Sequence, residues 1–190
     1  LVTRVTGNDF QVVRGIQGSV PALHNNSDPV LLVDRPAAAA VITSSTFERN
    51  RANNGGAIFN RGFGSLSVQN STLSANTATL TGGGLANFGS ATLLNATVHL
   101  NDALTGAGIA SNSDGSTPLA QVNLKNTIVS GGTTSADLGG FDANFTDGGR
   151  NLIEDIGTIT TFGVVGAPLN GNLLGDSVTP NSPQLDVLKD

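Results

Sequence analysis

The feature that most limits what this chain can fold into is a repeat close to 25 residues long. Residues 42–50 (ITSSTFERN), 68–76 (VQNSTLSAN) and 93–101 (LLNATVHLN) align without gaps, and a fourth copy opens at Leu124 (LKNTIVSGG). Thr46, Thr72, Thr97 and Thr127 fall 26, 25 and 30 residues apart, and Asn50, Asn76 and Asn101 keep the first two intervals. A second motif follows in the same order each time: Gly55-Gly56-Ala57-Ile58, Gly82-Gly83-Gly84-Leu85, then Gly106-Ala107-Gly108-Ile109. Asn60 and Asn87 each stand two places after the aliphatic residue. A fixed period of this length signals a stack of structural units, each burying its apolar face against the next.

Inside one unit the pattern is that of strands. Leu66 and Val68 alternate with Ser67 and Gln69, the period of a half-buried strand. Leu73 is the inward residue of a second short strand, with Phe47, Val98 and Ile128 as its equivalents, and the Gly-rich motif opens a third at Ile58, Leu85 or Ile109. Three short strands per 25-residue turn define an all-β fold, a right-handed parallel β-helix whose coils pair across about 4.8 Å. A leucine-rich repeat has a similar period but needs a helical segment, and Thr-Ala-Thr-Leu-Thr-Gly-Gly-Gly (77–84) is no helix. A β-sandwich carries no such repeat.

Composition agrees. The chain has 25 Gly, 12% charged residues and 4% aromatics, and its polar surface is supplied by Asn, Ser, Thr and Gly, residues that favour turns over helix interiors. Net charge is −5, and the basic residues are scattered apart from Arg49, Arg51 and Arg61, so no basic stripe exists for nucleic acid. No apolar run reaches the roughly 20 residues of a membrane-spanning helix. Without cysteine there is no disulfide scaffold. One domain is expected: irregular coils over residues 1–39, regular coils over 40–130 and looser coils with an end segment over 131–190. Strands are expected at Phe10 to Val13, Val30 to Val33, Asn151 to Ile153, Ile159 to Phe162 and Val164-Val165.

Candidates for chemistry are few. The Asn and Gly ladders read as corner and stacking residues. No pair of carboxylates has the spacing for glycoside hydrolysis: Glu154 and Asp155 are adjacent, and Ser74 replaces Glu48 one coil on. His24 and His99 lack the Gly-His-Gly setting of a polysaccharide hydrolase, and His99 reads as an outward surface residue. Residues 142–149 (DANFTDGG) resemble a calcium loop with one residue too many and no closing glutamate, which makes Asp142, Asn144 and Asp147 the candidate metal ligands. No catalytic residue is expected. The sequons at Asn25, Asn70, Asn95 and Asn144 follow from strand and corner chemistry. Outward pairs Thr46/Glu48, Thr72/Ser74, Thr97/His99 and Thr127/Val129 do not keep the regular threonine array of an ice-binding face.

The combination of Ser-Thr-aliphatic-x-x-Asn, Gly-Gly-aliphatic-x-Asn, the late Asn126-Thr127-Ile128-Val129 and Gly149-Arg150-Asn151-Leu152-Ile153 resembles bacterial secreted β-helix repeat proteins. These are the polymorphic outer-membrane and adhesin-like repeats that often end in a surface anchor. The resemblance runs from about Ala40 to Leu188. It implies an extracellular or cell-surface structural or adhesive module, with surface glycans as candidate partners. Neither end of the chain offers an amphipathic helix to cap an open coil, so the module is also expected to pair with itself end to end or by strand addition, as a self-assembling filament subunit. Since the chain begins at Leu1 and stops at Asp190, it reads as a piece or processed product of a longer precursor. A carbohydrate-binding or polysaccharide-degrading β-helix is the alternative.

Overall fold

The computed structural model describes residues 2–6, 9–12, 38–112 and 120–185. Strands β1 (Val2–Thr6) and β2 (Asp9–Val12) form an antiparallel pair. They belong to a unit spanning Leu1–Arg35, distinct from the unit Pro36–Asp190 that carries the repeats. The strand expected at 30–33 and the polar loop around His24 lie outside the described residues.

The second unit is a parallel β-helix. Its first coil comprises β3 (Ala39–Thr43), β4 (Thr46–Glu48), β5 (Arg51–Asn54) and β6 (Ile58–Asn60). The second repeats this as β7 (Ser65–Gln69), β8 (Thr72–Ser74), β9 (Thr77–Thr81) and β10 (Leu85–Asn87). The third has β11 (Ser90–Leu94), β12 (Thr97–His99) and β13 (Ile109–Ser111); the fourth has β14 (Gln121–Lys125), β15 (Ile128–Ser130) and β16 (Leu138–Gly140). After a 3₁₀ turn at Asp142–Asn144 come β17 (Phe145–Asp147), β18 (Leu152–Ile153), β19 (Gly163–Val164), β20 (Ala167–Pro168) and β21 (Leu173–Leu174). No α-helix occurs among the described residues.

Like strands stack into three sheets: β3-β7-β11-β14-β17, β4-β8-β12-β15-β18-β21 and β6-β10-β13-β16. The registers are those the repeat demands. Val68 sits between Ile42 and Leu93, Leu73 between Phe47 and Val98, and Leu85 between Ile58 and Ile109. Leu66, Val68, Leu73, Leu85, Leu93, Val98 and Ile109 are all buried in one apolar core. Burial of each such side chain contributes about 1.5–3 kcal/mol.

In the fourth coil the register differs from the sequence alignment by one residue. Thr97 pairs with Ile128 and Val98 with Val129, so Val129 is the inward residue and Ile128 faces out. Thr127 instead continues a column of small inward corner residues, Ser71 and Ala96 among them, because Thr97 N donates to Ser71 O and Ile128 N to Ala96 O. It is buried and donates through Oγ1 to Lys125 O at 3.0 Å. Bonding its hydroxyl to the neighbouring carbonyl lets this small polar side chain be buried without an unsatisfied group.

Corners require left-handed backbone. The first corner places Ser44, Asn70, Asn95 and Asn126 at φ between 48° and 53°. The second uses Arg49, Ala75 and Leu100, and the third Gly55, Gly82 and Gly106. Such a conformation costs roughly 1–2 kcal/mol per non-glycine residue. Amide ladders offset it. Asn76 donates from both its backbone N and its Nδ2 to Asn101 Oδ1 at 2.9 Å, and Asn50 repeats the pattern onto Asn76 Oδ1 at 3.0 Å. Asn60 and Asn87 form a second inner ladder at 2.7 Å. Glycine is obligatory at position 82, where a Cβ would lie 2.2 Å from Leu85 O.

Two features exceed the three-strand expectation. A fourth parallel ladder, β5 on β9, forms where the chain leaves the second corner; Thr79 and Thr81 hydroxyls donate to Asn53 and Asn54 Oδ1 at 3.2 and 3.0 Å. At the other end of the chain, Ile159 to Phe162 do not form the expected strand but turns that plug the core. Asp142 takes the backbone N–H groups of Thr160 and Thr161 at 2.7 and 2.8 Å, withdrawing them from any sheet. Ile159 and Phe162 are thereby turned inward and fully buried, with the Phe162 ring edge-on to Phe145 at 6.2 Å.

Candidate functional site

The outer side of the first corner carries the most developed polar surface. Asn95 Nδ2 donates to Asn70 Oδ1 at 3.0 Å, and Asn126 Nδ2 donates to Asn95 Oδ1 at 2.8 Å, giving an exposed amide chain along the coil axis. Arg150 holds the corner position of the following coil, also at positive φ (58°). Below the ladder lies a shallow groove of about 340 Å³. Ala96, Ile128, Leu152 and Leu173 supply its apolar surface, and Asn95, Thr97, Asn126 and Arg150 its polar groups. Ile128, Leu152 and Leu173 are register partners in successive coils, so the apolar strip is continuous. Among the described residues no carboxylate pairs with the Arg150 guanidinium.

The three candidate calcium ligands turn to different partners. Both Asp142 oxygens accept from Thr160 and Thr161. Burial works to raise the Asp142 pKa, but these N–H and hydroxyl donors outweigh it and hold the carboxyl below the usual range. Asn144 is buried and donates to Ser111 O at 3.1 Å. Asp147 accepts from Gly149 N, Asn151 Nδ2, Asn170 Nδ2 and Asn172 Nδ2. Its role is to tie the corners of successive coils together. Among the described residues no group of three or more acidic, His or Cys side chains suited to a metal forms.

Other titratable groups gather around the Gly131-Gly132 turn. Asp137, 1% exposed, accepts from Gly132 N at 2.9 Å and Asp155 N at 3.0 Å. Burial, reinforced by the charges of Glu154 and Asp155, pushes its carboxyl up to about 6 against the lowering effect of those two N–H donors. Glu154 Oε2 accepts from Gly131 N at 2.7 Å. His99, expected on the surface, is 7% exposed: its Nδ1 meets Ser130 Oγ at 2.9 Å, and its Nε2 is buried without a partner. Glu48, next to Ser74 in register, pairs with Arg49 at 3.1 Å.

The geometry defines a parallel β-solenoid with a polar groove on its flank. Comparison with family models, with curated proteins and with solved structures gives no match. No helix among the described residues is long and apolar enough to cross a membrane.

Proposed function

We propose that this chain is an extracellular structural or adhesive β-helix module that makes its contacts by adding strands at the first-coil end. One observation carries the reading. The outer edges of β3, β4, β5 and β6 have no strand partner among the described residues of the coil stack. Their inward Ile42, Phe47 and Ile58 are only partly buried, where the same positions one coil on are closed. Unpaired N–H and C=O groups beside exposed apolar surface are a template for further strands. The extracellular setting rests on the family resemblance and on the Asn/Thr/Ser/Gly surface. Because Ile159 and Phe162 plug the opposite end, contact between two copies through first coils closes on itself instead of propagating.

Hydrogen bonds from Ser65 N to Ala38 O and from Ser44 N to Gln69 O fix the alternation of β3. They leave the Val41 N–H pointing away from β7. Val41→Pro therefore keeps every bond to β7 while blocking strand addition. Sedimentation of the full chain should show a concentration-dependent dimer that Val41→Pro abolishes. A monodisperse monomer at all concentrations contradicts the reading, and so does an open-ended filament.

A further inference from the structure

We propose that the groove below the Asn70–Asn95–Asn126 ladder binds an anionic sugar polymer lying along the coil axis, with Arg150 as the residue that holds its acid group. The argument begins with backbone. At the first corner the coils use Ser44, Asn70, Asn95 and Asn126, all at φ near 50°. Asparagine tolerates that conformation because its short amide bonds locally; arginine gains no such relief. Arg150 nevertheless stands there at φ 58°. Its backbone N–H is satisfied by Asn170 O at 3.1 Å, so the corner itself does not need the guanidinium. The side chain is exposed at the groove, with no carboxylate partner among the described residues.

The surroundings fit a sugar better than a bare anion. Ile128 and Leu152 offer a flat aliphatic surface for the apolar face of a ring. The Asn126 amide oxygen and the Asn70 amide nitrogen, at the two ends of the ladder, have no partner among the described residues and can meet hydroxyl groups. Apolar floor, convergent polar groups and one charge are the usual composition of a ligand site. Like positions recur at the coil spacing of about 4.8 Å, which presents a row of amides to a linear polymer and not a single pocket to a small ion. Asp147 accepts from Gly149 N and Asn151 Nδ2 on either side of Arg150 and keeps its negative charge, so attraction for an anion rests on direct contact with the Arg150 guanidinium.

The test measures affinity of the full chain for polygalacturonate and dextran sulfate, with neutral dextran and poly-glutamate as controls. Val41→Pro serves as a variant whose only defect is at the first-coil end, so binding by it separates this site from the strand-addition reading. Binding is expected to polygalacturonate, dextran sulfate or both, the stronger one telling carboxylate from sulfate. Dextran and poly-glutamate should bind at least about tenfold more weakly. Arg150→Asn extends the ladder and should leave the unfolding midpoint unchanged while lowering affinity about tenfold or more, the factor expected for a charge-assisted hydrogen bond. Arg150→Lys should retain part of it. Equal binding by Arg150→Asn, equal binding of poly-glutamate, or failure of both anionic polysaccharides to bind overturns the proposal.

Discussion

The two ends of the coil stack are built from the same repeat and finished differently. At the first coil the inward Ile42, Phe47 and Ile58 are only partly buried, where Val68, Leu73 and Leu85 one coil on are fully closed. At the far end the sheets stop one after another, at β16, β17 and β21, and the gap they leave is filled by Ile156, Ile159 and Phe162. The β19–β20 hairpin follows this plug, and Asn181 N reaches Glu154 O at 3.3 Å. A solenoid coil cannot bury its own interior; it borrows the next coil for that. One end of this stack therefore substitutes turns and an aromatic ring for the missing coil, and at the other no strand covers the first coil among the described residues.

The largest expected effect comes from the closed middle of the stack. Leu73→Asp places an unpaired carboxylate at a fully buried position between Phe47 and Val98 and is expected to abolish folding, whereas Phe47→Asp, half covered at the open end, should leave a folded protein. Circular dichroism melts of the two variants read the difference directly. An equal loss would erase the distinction between inner and end coils.

Next in size is the plug. Phe162→Ala should cost about 3–5 kcal/mol by removing a wholly buried ring from against Phe145. It should also give the far end the association behaviour of the first coil, seen as larger species in sedimentation. Chemical denaturation with an unchanged midpoint would show that this end does not depend on Phe162.

A smaller effect distinguishes the far end by pH. Folded Asp137 keeps its proton up to about 6, while the unfolded chain releases it near the ordinary 3.8. The folded state therefore binds more protons between those values. This contribution is fully present below about 3.8 and is lost as pH rises through about 6, with an upper size of about 3 kcal/mol. Asp137→Asn should flatten that part of the stability profile. A slope unchanged in the variant would assign the dependence elsewhere.

How much of this was readable from the residues differs along the chain. From Ile42 to Ile109 the Thr, Asn and Gly ladders mark each corner, and the inward residues of three coils follow from them. At the fourth coil the long stretch between Asn101 and Gln121 breaks the count. Thr127 invites alignment with Thr97, although it belongs with Ala96, and the register slips by one. The β5–β9 ladder was hidden because Arg-Ala-Asn-Asn and Thr-Ala-Thr-Leu share no apolar pattern; it is held by Thr-to-Asn side-chain bonds and backbone pairing. His99 read as a surface residue because alternation gives a side chain's direction and not what covers it. Arg150 gave one signal only: a bulky cation standing where other coils put Ser or Asn.

Amide hydrogen exchange, read segment by segment by mass spectrometry, tests the asymmetry most directly. Local opening at an unpaired, half-covered end lies far below global stability, whereas a plugged end opens only with the core. β18 and β21 should therefore exchange with protection close to that of β8 and β12, and β3 and β4 about a hundredfold or more faster than these, the ratio for an end coil about 3 kcal/mol easier to open. Equal protection of β3 and β8 in the monomer, or rapid exchange across β18 and β21, would contradict the account of one open end and one closed.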